Sequence, residues 1–244
     1  MRVPRFYTVQ ALALDQTVIL EEPVSHHLLR VLRLQPGDPL QLFNGDGKEY
    51  QAILEGGPHK QAKALITGMQ QPERESNLRL MLGQGISRGE RMDFVLQKSV
   101  ELGVHSVTPL WTNRSQVQLS GKRLEKRLSH WRGVIKSACE QSGRVILPQL
   151  NNAVNLQDWH CLEQPQRLQL VLDPTASLHL TDIRPATVIQ VLIGPEGGLD
   201  DEEIRKAEEH GFQRIRLGPR ILRTETAALA TLTAVQTLWG DLSA

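Results

Sequence analysis

Cysteine is nearly absent: Cys139 and Cys161 are the only two in 244 residues. Two cysteines give no disulfide framework, so a reducing, cytoplasmic setting is the natural expectation. Long apolar runs are missing too. Stretches such as Val188 to Ile193 are far short of the roughly 20 residues that cross a bilayer, so no membrane association is expected. Met1-Arg2-Val3-Pro4-Arg5 is followed by no apolar stretch of the signal-peptide kind. Metal-ligand spacing is lacking. His26 and His27 are adjacent and point apart on a helix, so no metal is expected. No Ser-His-Asp or Cys-His pairing stands out, and Cys139, in an apolar helical stretch, reads as packed rather than nucleophilic. The dinucleotide fingerprint G-x-G-x-x-G, repeats and low-complexity tracts are also absent.

What is present is enough for a sizeable core, since apolar residues make up 40% of the chain. The net charge of +1 hides an uneven distribution. Residues 1–73 carry 7 basic against 8 acidic side chains, residues 74–149 carry 13 against 6, and residues 150–244 carry 8 against 13. A basic middle third is the footprint expected for a polyanion such as RNA. A solvated helix face over Lys122 to Lys136 accounts for part of it equally well.

The pattern of elements changes at the polar segment 70–76. Before it come short strands and one helix. Val18-Ile19-Leu20 is a short apolar run, Pro23 to Arg33 reads as helix, and Leu40 to Phe43 with Glu49 to Leu54 reads as a hairpin around Asn44-Gly45-Asp46-Gly47. After Gly56-Gly57-Pro58, Ala62 to Thr67 resumes as a strand. Short strands spaced by Gly-rich turns point to a small barrel over 1–72. From 73 to 244 strands alternate with helices. The strands are Leu78 to Leu82, Val104 to Trp111, Leu168 to Leu172, Val188 to Ile193 and Arg214 to Leu217. The helices are Arg88 to Leu102, Lys122 to Cys139, Asp200 to His210 and Thr226 to Trp239. This alternation predicts an α/β domain with a parallel sheet.

Two loops carry the chemistry. Gly194-Pro195-Glu196-Gly197-Gly198 follows one buried strand, and Leu217 to Thr226 follows the last. Open α/β sheets bind ligands at such strand ends, and glycines let backbone approach a ligand. A phosphate is disfavoured, because the next helix opens Asp200-Asp201-Glu202-Glu203 and Asp200 with Glu203 resembles a capping box. A neutral or cationic ligand meets no such repulsion, and the sulfonium of S-adenosylmethionine has that sign. A tight turn alone would also account for the glycines.

The chain resembles the RsmE family, the 16S ribosomal RNA uridine-N3 methyltransferases of the SPOUT superfamily. The matching segments include Arg2 to Phe6, His27 with Arg30 to Arg33, Ser87 to Met92, Gln97 to Val104, Arg114-Ser115, Cys139 to Arg144, Ile193 to Leu199 and Leu217 to Ala227. One departure is Asp173 before Pro174, where the family often carries His.

The resemblance implies a PUA-like N-terminal barrel that binds RNA, a trefoil-knotted SPOUT domain, a homodimer, S-adenosylmethionine as cofactor and 16S rRNA of the small ribosomal subunit as substrate. It implies cofactor contacts at Leu172, Gly194, Glu196, Gly197, Gly198, Leu217, Gly218, Leu222 and Thr226. Leu172, Leu217 and Leu222 equally suit plain core positions. Arg223 and Arg88 are candidate cations for the uracil oxygens, with Glu225 or Glu196 as base or orienting partner. RNA contacts are expected from Arg2, Arg5, Arg30, Arg33, Arg91, Arg114 and Arg144. Competing readings are a catalytically inactive RNA-binding or assembly protein and an ordinary nucleotide-dependent α/β enzyme.

Overall fold

The computed structural model describes residues 3–57, 61–117, 120–160 and 167–243, so Arg2, Pro58 and Cys161 lie outside the described residues. The chain divides into two compact units. One is Met1–Glu75 with Cys139–Leu147, and the other is Ser76–Ala138 with Pro148–Ala244.

The first unit holds β1 (Arg5–Tyr7), β2 (Thr17–Ile19), α1 (Glu22–His26), β3 (Pro39–Phe43), β4 (Glu49–Gly56) and β5 (Lys63–Gln70). Their sheet order is β1-β3-β4-β5-β2, antiparallel except for β1 on β3. Alternation along β4 sends Tyr50, Ala52 and Leu54 into a core with Leu28, Leu42 and Ile66. Burying each such leucine or isoleucine contributes about 1.5–3 kcal/mol. The segment read as one helix from Pro23 divides. α1 passes into a π-helical turn, His27–Val31, and Arg33 then stops it in a left-handed conformation at φ +57°.

Arg5 and Arg144 correct the expectation that both face RNA. Arg5 is buried. It pairs with Glu49, donates to the carbonyls of Cys139 (2.7 Å) and Arg144 (2.9 Å), and lies 4.3 Å from the centre of the Phe43 ring. Arg144 is 6% exposed and forks onto Glu75 through Nε (2.9 Å) and Nη2 (2.7 Å). A guanidinium with several donors can satisfy a carboxylate and nearby carbonyls together, which makes it the cation suited to burial. Arg30 and Arg33 are exposed.

The second unit is a parallel α/β layer. In chain order it comprises β6 (Arg79–Gly85), α2 (Arg91–Glu101), β7 (Ser106–Trp111), α3 (Gly121–Ser142), β8 (Gln149–Leu150), β9 (Val154–Asn155), α4 (Leu156–His160), β10 (Leu168–Leu172), β11 (Val188–Ile193), α5 (Asp201–Glu209), β12 (Gln213–Ile215) and α6 (Thr224–Trp239). The last four residues of α3 group with the first unit. The sheet order is β12-β10-β11-β6-β7-β8, with β9 beside β7, and every pairing is parallel. Central strands covered on both faces explain the near-continuous apolar runs of β11 and β6. α2 packs on α6, and α4 on α5. Gly103, at φ +76°, ends α2 in the manner expected of a glycine after the C-cap. Cys139 is buried, and desolvation pushes its thiol up to about 12, which suits packing and not nucleophilic attack. No helix is long and apolar enough to cross a membrane among the described residues.

The Glu49 carboxylate generates a pH prediction. Burial pushes its pKa up, but hydrogen bonds from Arg5 and Gln70 and the charges of Arg5 and Arg74 outweigh this and hold it below 4.5. Its contribution is therefore complete above about pH 4.5 and is lost as pH falls through the depressed folded value. Glu49→Gln is expected to be less stable at pH 7 and to lose less stability between pH 5 and 3, measured by thermal unfolding. Arg5→Ala is expected to cost about 3–5 kcal/mol, because it strands a buried carboxylate.

Candidate functional site

Three parallel strands end side by side: β10 at Leu172, β11 at Ile193 and β12 at Ile215. The loops that leave them enclose a cavity of about 380 Å³. The first loop contributes residues 173–175, the second residues 194–199 and the third residues 216, 217 and 220–222. Thr224 and Ala227 at the start of α6 complete the wall. Of the positions singled out in the sequence, Leu172, Gly194, Glu196, Gly197, Gly198, Leu217 and Leu222 line this cavity. Gly218 and Thr226 do not. Gly218 is exposed at φ +69° and makes the turn, while Thr226 is exposed on α6. Helical geometry is the reason: Thr224 and Ala227, three apart, share the inward face that Thr226 leaves.

The loops are held by contacts that the sequence did not reveal. Thr224 donates its hydroxyl to the Gly194 carbonyl at 2.6 Å. Gln84, fully buried at the end of β6, donates to the Thr224 hydroxyl at 2.9 Å and to the Gly85 carbonyl at 3.0 Å. The only sequence hint was a glutamine inside the apolar run Leu82 to Ile86. Gly85 allows the close approach, since a Cβ there would lie 2.4 Å from the backbone nitrogen of Pro195. Gly198 takes φ +70°, a conformation that glycine adopts without strain.

Arg114 belongs to this scaffold. It lines the cavity and donates to the carbonyls of Gly197 (3.1 Å) and Leu199 (3.4 Å). Its neighbour Asn113 donates to Asp200 and Glu203, each at 2.7 Å. Asp200 and Glu203 do form the expected capping box. The hydrogen bond from Asn113, then that from the Glu203 amide, holds the Asp200 carboxyl below its ordinary pKa. Glu202 pairs with Lys206, so of the four acids only Asp201 lines the cavity. The acidic screen inferred from the sequence is thus weaker than four charges, and Arg114, Arg216 and Arg220 bring positive charge to the same wall.

Asp173, at the position that departs from the family pattern, is nearly fully buried and engaged. It accepts the Thr175 amide (2.8 Å) and hydroxyl (2.9 Å) on one oxygen and Arg214 (2.8 Å) on the other. Burial raises its pKa, but these donors outweigh that and keep it ionised. It orders the first loop.

The candidate catalytic side chains gather around Arg91. Glu196 accepts the Arg88 backbone amide at 2.8 Å and Arg91 Nη1 at 2.9 Å, while Arg91 Nε lies 4.0 Å from Glu225. Arg88 therefore enters through its backbone, with its side chain exposed. Arg223 is exposed at the N-cap of α6. Burial raises the Glu196 pKa, but the Arg88 amide, its own amide and Arg91 lower it further, so Glu196 is a poor proton acceptor near neutrality. The second Glu225 oxygen is buried with no hydrogen-bond partner among the described residues.

Thr224→Val keeps shape but removes the hydroxyl that donates to the Gly194 carbonyl and accepts one Gln84 amide hydrogen. A loss of about 1–3 kcal/mol in urea unfolding is expected, with Thr224→Ser keeping most of the stability. Equal losses in both variants would mean that methyl packing, not the hydrogen bond, holds the loops.

Known proteins resemble the chain over its full length. The family described as RNA methyltransferase domain matches residues 74–236, and the RNA methyltransferase PUA domain matches residues 20–67. The chain is 36% identical over 244 residues to the ribosomal RNA small subunit methyltransferase E of Buchnera aphidicola from Schizaphis graminum, covering 99% of both chains. A solved methyltransferase of Legionella pneumophila, in complex with the bound cofactor SAM, is 41% identical with a TM-score of 0.95, covering 99% of this chain and 100% of that one. A ribosomal RNA small subunit methyltransferase E of Neisseria gonorrhoeae, bound to S-adenosyl methionine, is 41% identical with a TM-score of 0.93 and the same coverage. By the extent of these matches, the chain belongs to the RNA methyltransferase family, with a match to the RNA methyltransferase PUA domain ahead of the methyltransferase domain.

Proposed function

We propose that this protein transfers the methyl group of S-adenosylmethionine to N3 of a specific uridine in 16S ribosomal RNA of the small subunit. The observation that carries this reading is the cavity at the ends of β10, β11 and β12. It has leucines and glycine backbone on its wall, and the chain is akin over its full length to proteins solved with that cofactor. Residues present fit an adenosyl ligand: Leu172, Ile193, Leu217 and Leu222 offer apolar faces for a purine, and the loop backbone offers amides and carbonyls for its edge. When bound, S-adenosylmethionine supplies an electrophilic methyl on a positively charged sulfur.

The remaining work is positioning and charge. The loops fixed by Thr224, Gln84 and Arg114 hold the pocket rigid, and holding the nucleophilic nitrogen in line contributes several kcal/mol. The N3 proton must leave, and Glu225 is the acceptor we assign, because Glu196 is committed to Arg91 and the Arg88 amide. Glu196 orients Arg91. Arg223 and Arg88, both exposed, supply cations for the uracil oxygens. Arg30 and Arg33 of the PUA-like unit, with Arg91, present cations to RNA phosphates. The domain boundary at 72/73, the trefoil crossing and the homodimer belong to the same reading. Ile221, 86% exposed in the third loop, is an apolar side chain that a second copy would cover.

Incubation with labelled S-adenosylmethionine and small subunits from a strain lacking the gene should transfer label. Reverse transcription should then stop one base before the modified uridine, because N3 methylation blocks pairing. Neither label nor stop would end the proposal. Gly198→Val is expected to abolish cofactor binding in calorimetry, since a β-branched residue is strained at φ +70°. Arg223→Ala should lower kcat by about tenfold or more with little change in cofactor affinity.

A further inference from the structure

The cavity wall carries an arginine that the reading so far leaves without a task. Of its three cations, Arg114 is committed to the carbonyls of Gly197 and Leu199, and Arg220 is exposed. Arg216 is half-buried where the chain leaves β12. Its backbone amide is fixed by the Leu178 carbonyl at 2.9 Å. Nη2 lies 3.4 Å from His179 Nε2, but Nε is buried and meets no acceptor among the described residues. Among the described residues that line the cavity, no other side chain has a buried polar atom without a partner. A buried guanidinium donor without an acceptor is costly. Of the wall carboxylates, Asp173 holds Arg214 and Thr175, Glu196 holds Arg91 and the Arg88 amide, and Asp201 makes no ion pair with Arg216 among the described residues. The guanidinium end lines the cavity and, beyond the long contact from Nη2 to His179, meets no acceptor among the described residues, so a ligand in the cavity can supply one.

We propose that Arg216 receives the carboxylate of the amino-acid tail of the methyl donor, so that the pocket distinguishes an adenosyl ligand bearing an α-amino acid from one without it. This rests on the cavity being the S-adenosylmethionine site. The chemistry fits on both sides. A guanidinium presents donors in a planar fork that matches a carboxylate, and the bond is charge-assisted. The donor is cationic at sulfur and anionic at its carboxylate, and the wall likewise carries both signs, with Asp201 beside Arg114, Arg216 and Arg220.

The test is calorimetry of the wild-type protein, Arg216→Met and Arg216→Lys with two probes. S-adenosylhomocysteine has the tail, and 5′-methylthioadenosine lacks it, while neither carries a charge on sulfur. Arg216→Met should weaken S-adenosylhomocysteine by about 10- to 100-fold and leave 5′-methylthioadenosine within about twofold, with Arg216→Lys recovering part of the loss. Circular dichroism melting checks that each variant is folded, and the ratio of the two affinities within one variant is independent of the fraction folded. A parallel fall for both probes would overturn the proposal, since Arg216 would then meet the nucleoside or shape the wall. So would an unchanged affinity for S-adenosylhomocysteine. A wild-type protein that binds neither probe would instead remove the cavity reading itself, and the assignment of Arg216 with it.

Discussion

The hydrogen bond from the Thr224 hydroxyl to the Gly194 carbonyl joins two segments that lie 30 residues apart in sequence, and the cavity depends on it. Each loop by itself is short, glycine-containing and free to take several conformations. Gln84 adds the third anchor from the end of β6, so the first turn of α6, the loop after β11 and a central strand share one buried hydroxyl. A buried donor–acceptor chain of this kind favours the observed arrangement, because breaking it leaves the hydroxyl and the amide hydrogen it accepts dry and unpaired. The absence of a side chain at Gly85 is the steric counterpart, letting Pro195 rest on the strand.

Around that junction the charges are arranged more economically than their number suggests. Asp200 and Glu203 close the N-terminus of α5 and hold Asn113, Asp173 orders its own loop, and Glu196 fastens Arg91 to the Arg88 backbone. Asp173, Glu196 and Asp200, held below their ordinary pKa by these donors, act as structure. What they leave facing the cavity is a wall of mixed sign, which suits a zwitterionic ligand with an added cationic sulfur better than a phosphate or a plain hydrocarbon.

The arginines divide by the same logic. Arg5 and Arg144 are cross-braces in the first unit, Arg114 is a clamp on the pocket loop, and Arg91 is a hub for two glutamates. The basic excess of the middle third is therefore only partly available to a polyanion. Within it Arg88, Lys122, Arg123, Lys126 and Arg132 are exposed, as are Arg30, Arg33 and Arg223 elsewhere in the chain.

The longer strands and helices, the hairpin at Asn44 to Gly47, the parallel sheet and the capping box at Asp200 were legible in the sequence, because each rests on spacing within a few residues: a period of two, a period near 3.6, a cap three positions from its partner; the short β1, β8, β9 and α4 were not, having too few residues to show a period. The two glycine loops were legible as a site for the same reason, since a glycine run between a buried strand and a helix is a local signal. The inward turn of Thr224 and Ala227 in place of Thr226, the burial of Arg5, the clamp by Arg114 and the unmet Arg216 donor were decided by tertiary structure alone. Whether an arginine faces water, a carbonyl or the cavity depends on groups brought to it from about 40 to 140 residues away, and composition, charge and periodicity carry no record of those approaches.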